Sequence, residues 1–361
     1  MESMSAPKSR AWVEVNLAAL VENARAVARF AGTRLLPIVK ANAYGAGAVA
    51  AAQALEQVDP WGYGVATIEE GAELRAAGIV RPVLVCVPGR PDQFDRYRQL
   101  ELTPALGDRD SLAAWLSRMP QRPCHLELDT GMRRAGLRWD EIDGIRDLPG
   151  AERIEGCYTQ FHSSERADGS VDEQLERFVT AVGRLPRRPP LLHVANSGAA
   201  LRGRQYAFDA VRPGVYLYGG TPGGAIAPGV PVVSLRAVVV SVRPVRAGES
   251  VSYNALWTAP RDTVVATLGI GYADGVRQSI APTGQATVLV NGARCPIVGR
   301  VTMDLTMIET GATPVAVGDV ATLIGEARGG VNTLQQFAEW SGVQQRDLLC
   351  GLGARLPRIY E

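Results

Sequence analysis

From residue 34 to residue 211 the chain repeats one pattern, a short apolar or β-branched run followed by a longer stretch with helical spacing. The runs lie near residues 34–39, 61–67, 82–87, 103–106, 124–128, 154–161, 191–195 and 207–211. Between them, helical periodicity is clearest over residues 48–57, 68–77, 111–119 and 172–185. Such alternation calls for parallel pairing with right-handed crossovers, because a helix must return the chain before the next strand can run in the same direction. Eight units of this kind predict a closed α/β barrel. A doubly wound sheet is the alternative, but the GxGxxG fingerprint expected after its first strand is absent.

Past residue 230 the texture changes to short alternating strands, expected at 234–242, 263–269, 286–290 and 320–324, and only residues 333–340 look helical. Asn291-Gly292 sits between two apolar runs and marks a two-residue hairpin, since both residues tolerate the positive φ of a type I′ turn. Residues 11–16 alternate like a further strand, and Asn16 stands where it can cap a helix over 17–30. The expected organisation is a barrel over 12–230 and a mainly β domain over 231–361, to which the N-terminal strand within residues 1–16 adds.

A chain of 361 residues can bury a core in each of two such domains. Its 38 basic and 37 acidic residues nearly cancel and are dispersed, leaving no electrostatic footprint for nucleic acid or an anionic membrane, so a small-molecule partner is expected. The five cysteines include no CxxC and read as reduced thiols of a cytoplasmic protein. None of the three histidines stands at ligand spacing from another histidine or a cysteine, so no metal is expected. The N-terminus has no apolar signal core, and no uncharged run reaches membrane-spanning length.

The most constrained chemistry lies in residues 36–47, where an apolar run ends in Lys40 and a glycine-punctuated turn follows. A lysine closing a buried strand is desolvated, which favours the neutral amine needed for a nucleophile or base; the alternative is a strand-end lysine reaching to water. In a parallel barrel the active site lies at the C-terminal ends of the strands, where Lys40, Arg134, Gln160, Asn196 and Arg212 all fall.

The letters around Lys40, Val39-Lys-Ala-Asn-Ala-Tyr-Gly45, closely resemble the pyridoxal-phosphate lysine motif of the alanine racemase family. The resemblance continues through Asp129-Thr-Gly-Met, Ala195-Asn-Ser197, Arg212-Pro-Gly-Val215, Val251-Ser-Tyr253, Gly271-Tyr-Ala-Asp-Gly275 and Val301-Thr-Met-Asp304. It implies a barrel plus β domain, a pyridoxal-phosphate-dependent racemase, and a homodimer with composite sites. Lys40 would hold the cofactor and exchange the Cα proton on one face, and Tyr253 from a partner subunit would serve the other. Arg212 would contact the pyridine nitrogen without protonating it, because a guanidinium does not surrender its proton. Tyr44, Asn196, Ser197 and the backbone of Gly214 and Val215 would hold the cofactor, its phosphate above all. Arg134, Met303 and Asp304 would receive the substrate carboxylate, and Tyr272 would line the way in.

Three departures stand out. Glu127 occupies the position of a carbamylated lysine in many members and is expected to pair with Arg134; Gln160 replaces a histidine and is expected to bridge Tyr253 and Arg212. His162, on the same strand face, could compensate in part, but the reading its position favours is an ordinary polar residue at the barrel mouth. Ala354 replaces a tyrosine that crowds the substrate side chain in alanine-selective members, which predicts activity on serine and longer side chains. Two rival readings remain, an amino-acid decarboxylase of the same fold and a non-catalytic cofactor carrier. The decarboxylase would want an acid where Arg212 stands, and the carrier would end after the barrel.

Overall fold

The computed structural model describes residues 9–361. They form two compact units, Leu20–Val230 on one hand and the chain up to Ala19 together with Pro231–Glu361 on the other.

Leu20–Val230 is an eight-stranded parallel barrel. Its strands are β1 (Arg34–Leu35), β2 (Tyr63–Val65), β3 (Val83–Val85), β4 (Thr103–Leu106), β5 (His125–Asp129), β6 (Gly156–Tyr158), β7 (Leu191–Leu192) and β8 (Ala210–Val211). Neighbours pair in parallel from β2 through β7, and β8 pairs with β1. Single bridges Ile38↔Gly64 and Asn196↔Arg212 close the two remaining gaps. The strands are shorter than the apolar runs that announce them. Pro37 has no N–H to donate and interrupts the first run, while Phe208, at φ 45°, breaks the last.

Helices Ala48–Leu55, Ile68–Ala76, Arg109–Arg118 and Ser170–Gly183 stand where periodicity predicts them. Helix Leu17–Ala31 follows Asn16, whose side-chain oxygen accepts the Ala19 N–H at 2.8 Å. Trp115 of helix Arg109–Arg118 is fully buried edge-on to Phe94, centroids 4.8 Å apart. Burying a ring of that size contributes about 2–3 kcal/mol, which fastens the helix to its neighbour Phe94–Gln99.

In the second unit the long strand Val233–Val245 pairs antiparallel with Ala11–Val15, Thr263–Leu268 and Val320–Ala327, changing partner at a register shift between Val239 and Ser241. Ala11–Val15 also pairs in parallel with Arg358–Tyr360. Asn291 (φ 49°) and Gly292 (φ 87°) make the expected hairpin turn between Thr287–Val290 and Ala293–Val298. Helix Leu334–Ser341 is joined by a second, Gln345–Cys350, whose six residues are too few to show a period. No disulfide joins the five cysteines, and among the described residues no helix is long and apolar enough to cross a membrane.

Candidate active site

Lys40 is half-buried and opens a turn of an uncommon hand rather than closing a strand. Ala41, Asn42, Ala43 and Tyr44 all have φ between 52° and 54°, and the first three have ψ between 48° and 52°. For residues with a Cβ, left-handed helix costs roughly 1–2 kcal/mol each, so the surroundings must impose it. They do so through backbone bonds from Gly45 N to Ala41 O and from Gly47 N to Asn42 O, both 2.9 Å. The Asn42 side chain accepts the Ala48 N–H at 2.8 Å, and the Glu70 carboxylate accepts the Ala41 N–H at 2.7 Å.

The turn delivers Tyr44 to a cradle of small groups. Its ring stacks on Tyr218 at 4.8 Å, and its hydroxyl lies so close to Gly214 that a Cβ there would approach it to 2.4 Å. Ser197 Oγ accepts the Gly214 N–H at 2.8 Å, and Val215 begins a tight helical turn just beyond. Asn196 caps the helix Ser197–Arg202 by accepting the Ala199 N–H at 3.2 Å. Two hydroxyls and a glycine-turn backbone, with no carboxylate among them, suit a phosphate dianion.

Arg212 is buried in the barrel beneath this cradle. Its guanidinium donates to Thr159 O at 2.7 Å, to Gln160 Oε1 at 3.2 Å and to His193 Nδ1 at 2.9 Å, and it also reaches the His193 carbonyl. It lies over the Tyr158 ring, 4.9 Å from the centroid. Because a guanidinium only donates, His193 Nδ1 must accept, so His193 carries its proton on Nε2 and donates it to His125 Nδ1 at 2.9 Å. His125 Nε2 then faces Glu155 Oε2 at 3.5 Å, short of a well-formed bond. Burial pushes both histidines below their ordinary pKa, and the Arg212 charge adds to the effect on His193. Neutral imidazoles thus line the barrel under Arg212. Sequence reading saw no role for them, since their pairing depends on β5 and the end of β7 being brought together.

Glu127 is buried on β5, Arg134 is exposed, and no ion pair joins the two among the described residues. Burial raises the Glu127 pKa, against the pull of the Arg134 and Arg212 charges. Glu127 Oε2 and the Tyr158 hydroxyl are both buried without a hydrogen-bond partner. Arg134 instead borders a cleft of about 590 Å³ over the Asp129–Gly131 loop, with Arg133, Arg138 and Arg177 beside it. His162 is exposed, with its Nδ1 2.7 Å from Ser163 Oγ, as an ordinary polar residue at the barrel mouth would be.

In the second unit the expected residues gather around a group that the sequence reading passed over. Asp274, fully buried, pairs with Arg10 at 2.9 Å and with Arg355 at 3.0 Å and accepts the Gly271 N–H at 3.0 Å. Arg355 also pairs with Asp304 at 2.9 Å, and the Ala273 N–H donates to Met303 O at 3.0 Å, so Asp274 fixes the Tyr272 turn and the Met303-Asp304 turn together. Ala354, next to Arg355, is exposed. Tyr253 is 68% exposed in a turn whose Ser252 Oγ donates to Arg300 O at 2.8 Å. Gln160 bonds Arg212 and the Phe161 carbonyl.

A parallel barrel carrying one lysine beside a phosphate cradle, with a buried arginine below, defines a lysine-anchored cofactor enzyme of the α/β-barrel class. The sequence pattern of the alanine racemase N-terminal domain matches residues 15–222, and that of the C-terminal domain matches residues 232–360. The alanine racemase of Deinococcus deserti is 39% identical over 98% of this chain and 99% of its own length. The alanine racemase of Bartonella henselae, solved with covalently bound pyridoxal phosphate, superposes with a TM-score of 0.89 at 30% identity, covering 98% of this chain and 100% of its own. The histidine racemase of Leuconostoc mesenteroides superposes equally well, TM-score 0.89, at 27% identity and 99% coverage of both chains. The chain belongs to the alanine racemase family.

Proposed function

We propose that this protein is a pyridoxal-phosphate-dependent amino-acid racemase that interconverts L- and D-alanine and accepts larger side chains, working in the cytoplasm as a homodimer with composite sites. The observation that carries the reading is the placement of Lys40 at the head of a left-handed turn that delivers Tyr44 to the Ser197–Gly214 cradle. Those residues fit the cofactor: the contact at Gly214 leaves no room for a side chain, and the donors around it are hydroxyl and amide.

Bound there, pyridoxal phosphate would serve as the electron sink that makes a Cα proton removable. Lys40, one of only two lysines in the chain, would hold the cofactor and would move the Cα proton on one face. Arg212 would offer the cofactor's ring nitrogen a donor whose proton a guanidinium does not give up, which would favour proton return to Cα. The same feature disfavours a decarboxylase. Arg134, the Met303 backbone and Asp304 orient the substrate carboxylate, and Tyr253 supplies the second proton-transfer group.

The dimer is supported by the exposure of Tyr253 (68%), Leu256 (53%) and Met303 (53%), with Tyr272 and Leu305 also exposed, a set of large apolar side chains that a monomer would leave in water. The test is borohydride reduction of the purified protein followed by peptide mapping. Cofactor fixed on Lys40 supports the assignment; cofactor on Lys8, or on neither lysine, contradicts it.

A further inference from the structure

The left-handed turn behind Lys40 touches one acidic side chain from outside its own segment. Glu70 Oε1 accepts the Ala41 N–H at 2.7 Å, while Oε2 accepts the Ala66 N–H at 2.6 Å and the Thr67 N–H at 3.4 Å. Glu70 is also the third residue of helix Ile68–Ala76, where it completes a capping box: Thr67 Oγ1 accepts the Glu70 N–H at 3.2 Å. A capping glutamate needs only the bonds back to its own helix start. This one spends its second oxygen on a different element, 29 residues earlier in the chain.

We infer that Glu70 is a positioning residue for the racemase site, holding the Ala41–Tyr44 turn left-handed so that Lys40 and Tyr44 stand ready for the cofactor. The inference rests on the racemase reading. A carboxylate suits the task because it only accepts, and can therefore take amide hydrogens from both sides at once. It also sits in the first turn of a helix, where the dipole favours its charge. Without Glu70, the Ala41 N–H loses its acceptor, and Ala41 and Asn42, both exposed, have little packing to keep them at positive φ. The turn then relaxes toward ordinary backbone and carries Tyr44 away from Gly214.

The experiment separates this role from helix capping. Glutamine serves a capping box as well as glutamate does, but its amide cannot accept from both Ala41 and Ala66. Thr67→Ala removes the other half of the cap and leaves the Ala41 contact in place. Cofactor is stripped from wild type, Glu70→Gln, Glu70→Ala and Thr67→Ala, and its dissociation constant is measured by absorbance titration. Amide hydrogen exchange of residues 41–47 is followed on the same stripped proteins. The expected result is at least tenfold weaker cofactor binding and faster exchange for both Glu70 variants, with Thr67→Ala within twofold of wild type on both readouts even where its melting temperature falls. Glu70→Gln binding within twofold of wild type would overturn the inference, as would Thr67→Ala losing as much affinity as Glu70→Gln. Wild type that binds no pyridoxal phosphate would overturn the racemase reading along with it.

Discussion

Arg212 donates to the side-chain oxygen of Gln160 at 3.2 Å, through the same nitrogen that reaches Thr159 O at 2.7 Å. Gln160 stands where the family's Thr-His-Phe motif places histidine, so the site keeps an acceptor for Arg212 but loses a titratable ring. Arg212 has other acceptors in Thr159 and His193, and loss of one longer bond to a charged donor is worth about 1.5 kcal/mol, roughly tenfold. Gln160→Ala is therefore predicted to lower kcat by about tenfold or less with the cofactor still bound. Steady-state kinetics showing a loss of several hundredfold would give Gln160 a larger role than positioning.

Tyr253→Phe is predicted to cripple proton exchange on one face of the substrate while leaving cofactor absorbance intact. General acid/base groups contribute about 10² to 10⁴ in rate, so exchange from L- and D-alanine, measured separately, should differ by at least that lower figure. A loss under threefold in both directions would remove Tyr253 from catalysis. Mixed dimers of Lys40→Ala and Tyr253→Phe should regain activity, because one of their two sites keeps both groups; proven subunit exchange without recovery would contradict composite sites.

Glu127 gives a pH prediction. Its folded-state pKa is raised by burial, so its contribution to stability is whole below the ordinary value of 4.5 and is lost as pH rises through the folded value, where the buried carboxyl must ionise. Glu127→Gln removes that loss. The melting temperature of the variant relative to wild type should climb as pH rises above 4.5. A difference that is flat or falls across that range would mean that the buried carboxyl is well compensated. Since Glu127 needs no modification to occupy its place, activity should be the same with and without dissolved carbon dioxide.

Ala354 carries the prediction on substrate range. Arg355, beside it, is tied to Asp274 and Asp304, and Ala354 itself is exposed. Trp257, a bulky residue four positions after Tyr253, packs against a core of Val245, Ala259, Val265, Val298 and Met307. An open apolar pocket discriminates by only about 1–3 kcal/mol per methylene. The kcat/KM values for alanine, serine, methionine, lysine and arginine should therefore fall within a narrow range, and Ala354→Tyr should suppress the larger substrates. Wild type more than a hundredfold selective for alanine, with the variant unchanged, would exclude the open pocket.

The barrel was legible because each short strand carries its own apolar run and each crossover its own period. Closure was legible only as a count of eight units and not as strand pairing, since β7 and β8 pair over two residues each and the ring is completed by isolated bridges. The hand of the Ala41–Tyr44 turn was invisible for a different reason: alanine favours the right-handed helix, and the left-handed form is imposed by Glu70 and by the glycines that follow. One signal for Glu70 did lie in the sequence, in the Thr67-x-x-Glu70 capping box, but that pattern predicts only the local bond. The Arg212–His193–His125 chain and the burial of Asp274 likewise arise from contacts between distant segments, which spacing along one chain does not encode.

The central claim is that Lys40 and Tyr253 together move a proton to and from Cα on opposite faces. Purified protein loaded with pyridoxal phosphate is incubated with L-alanine in deuterated water, and the product is resolved by chiral chromatography and mass spectrometry. The account predicts D-alanine carrying deuterium at Cα, formed until the two enantiomers are equal. Cofactor-loaded protein that leaves L-alanine undeuterated and uninverted, and does the same with serine, lysine and arginine, would contradict it.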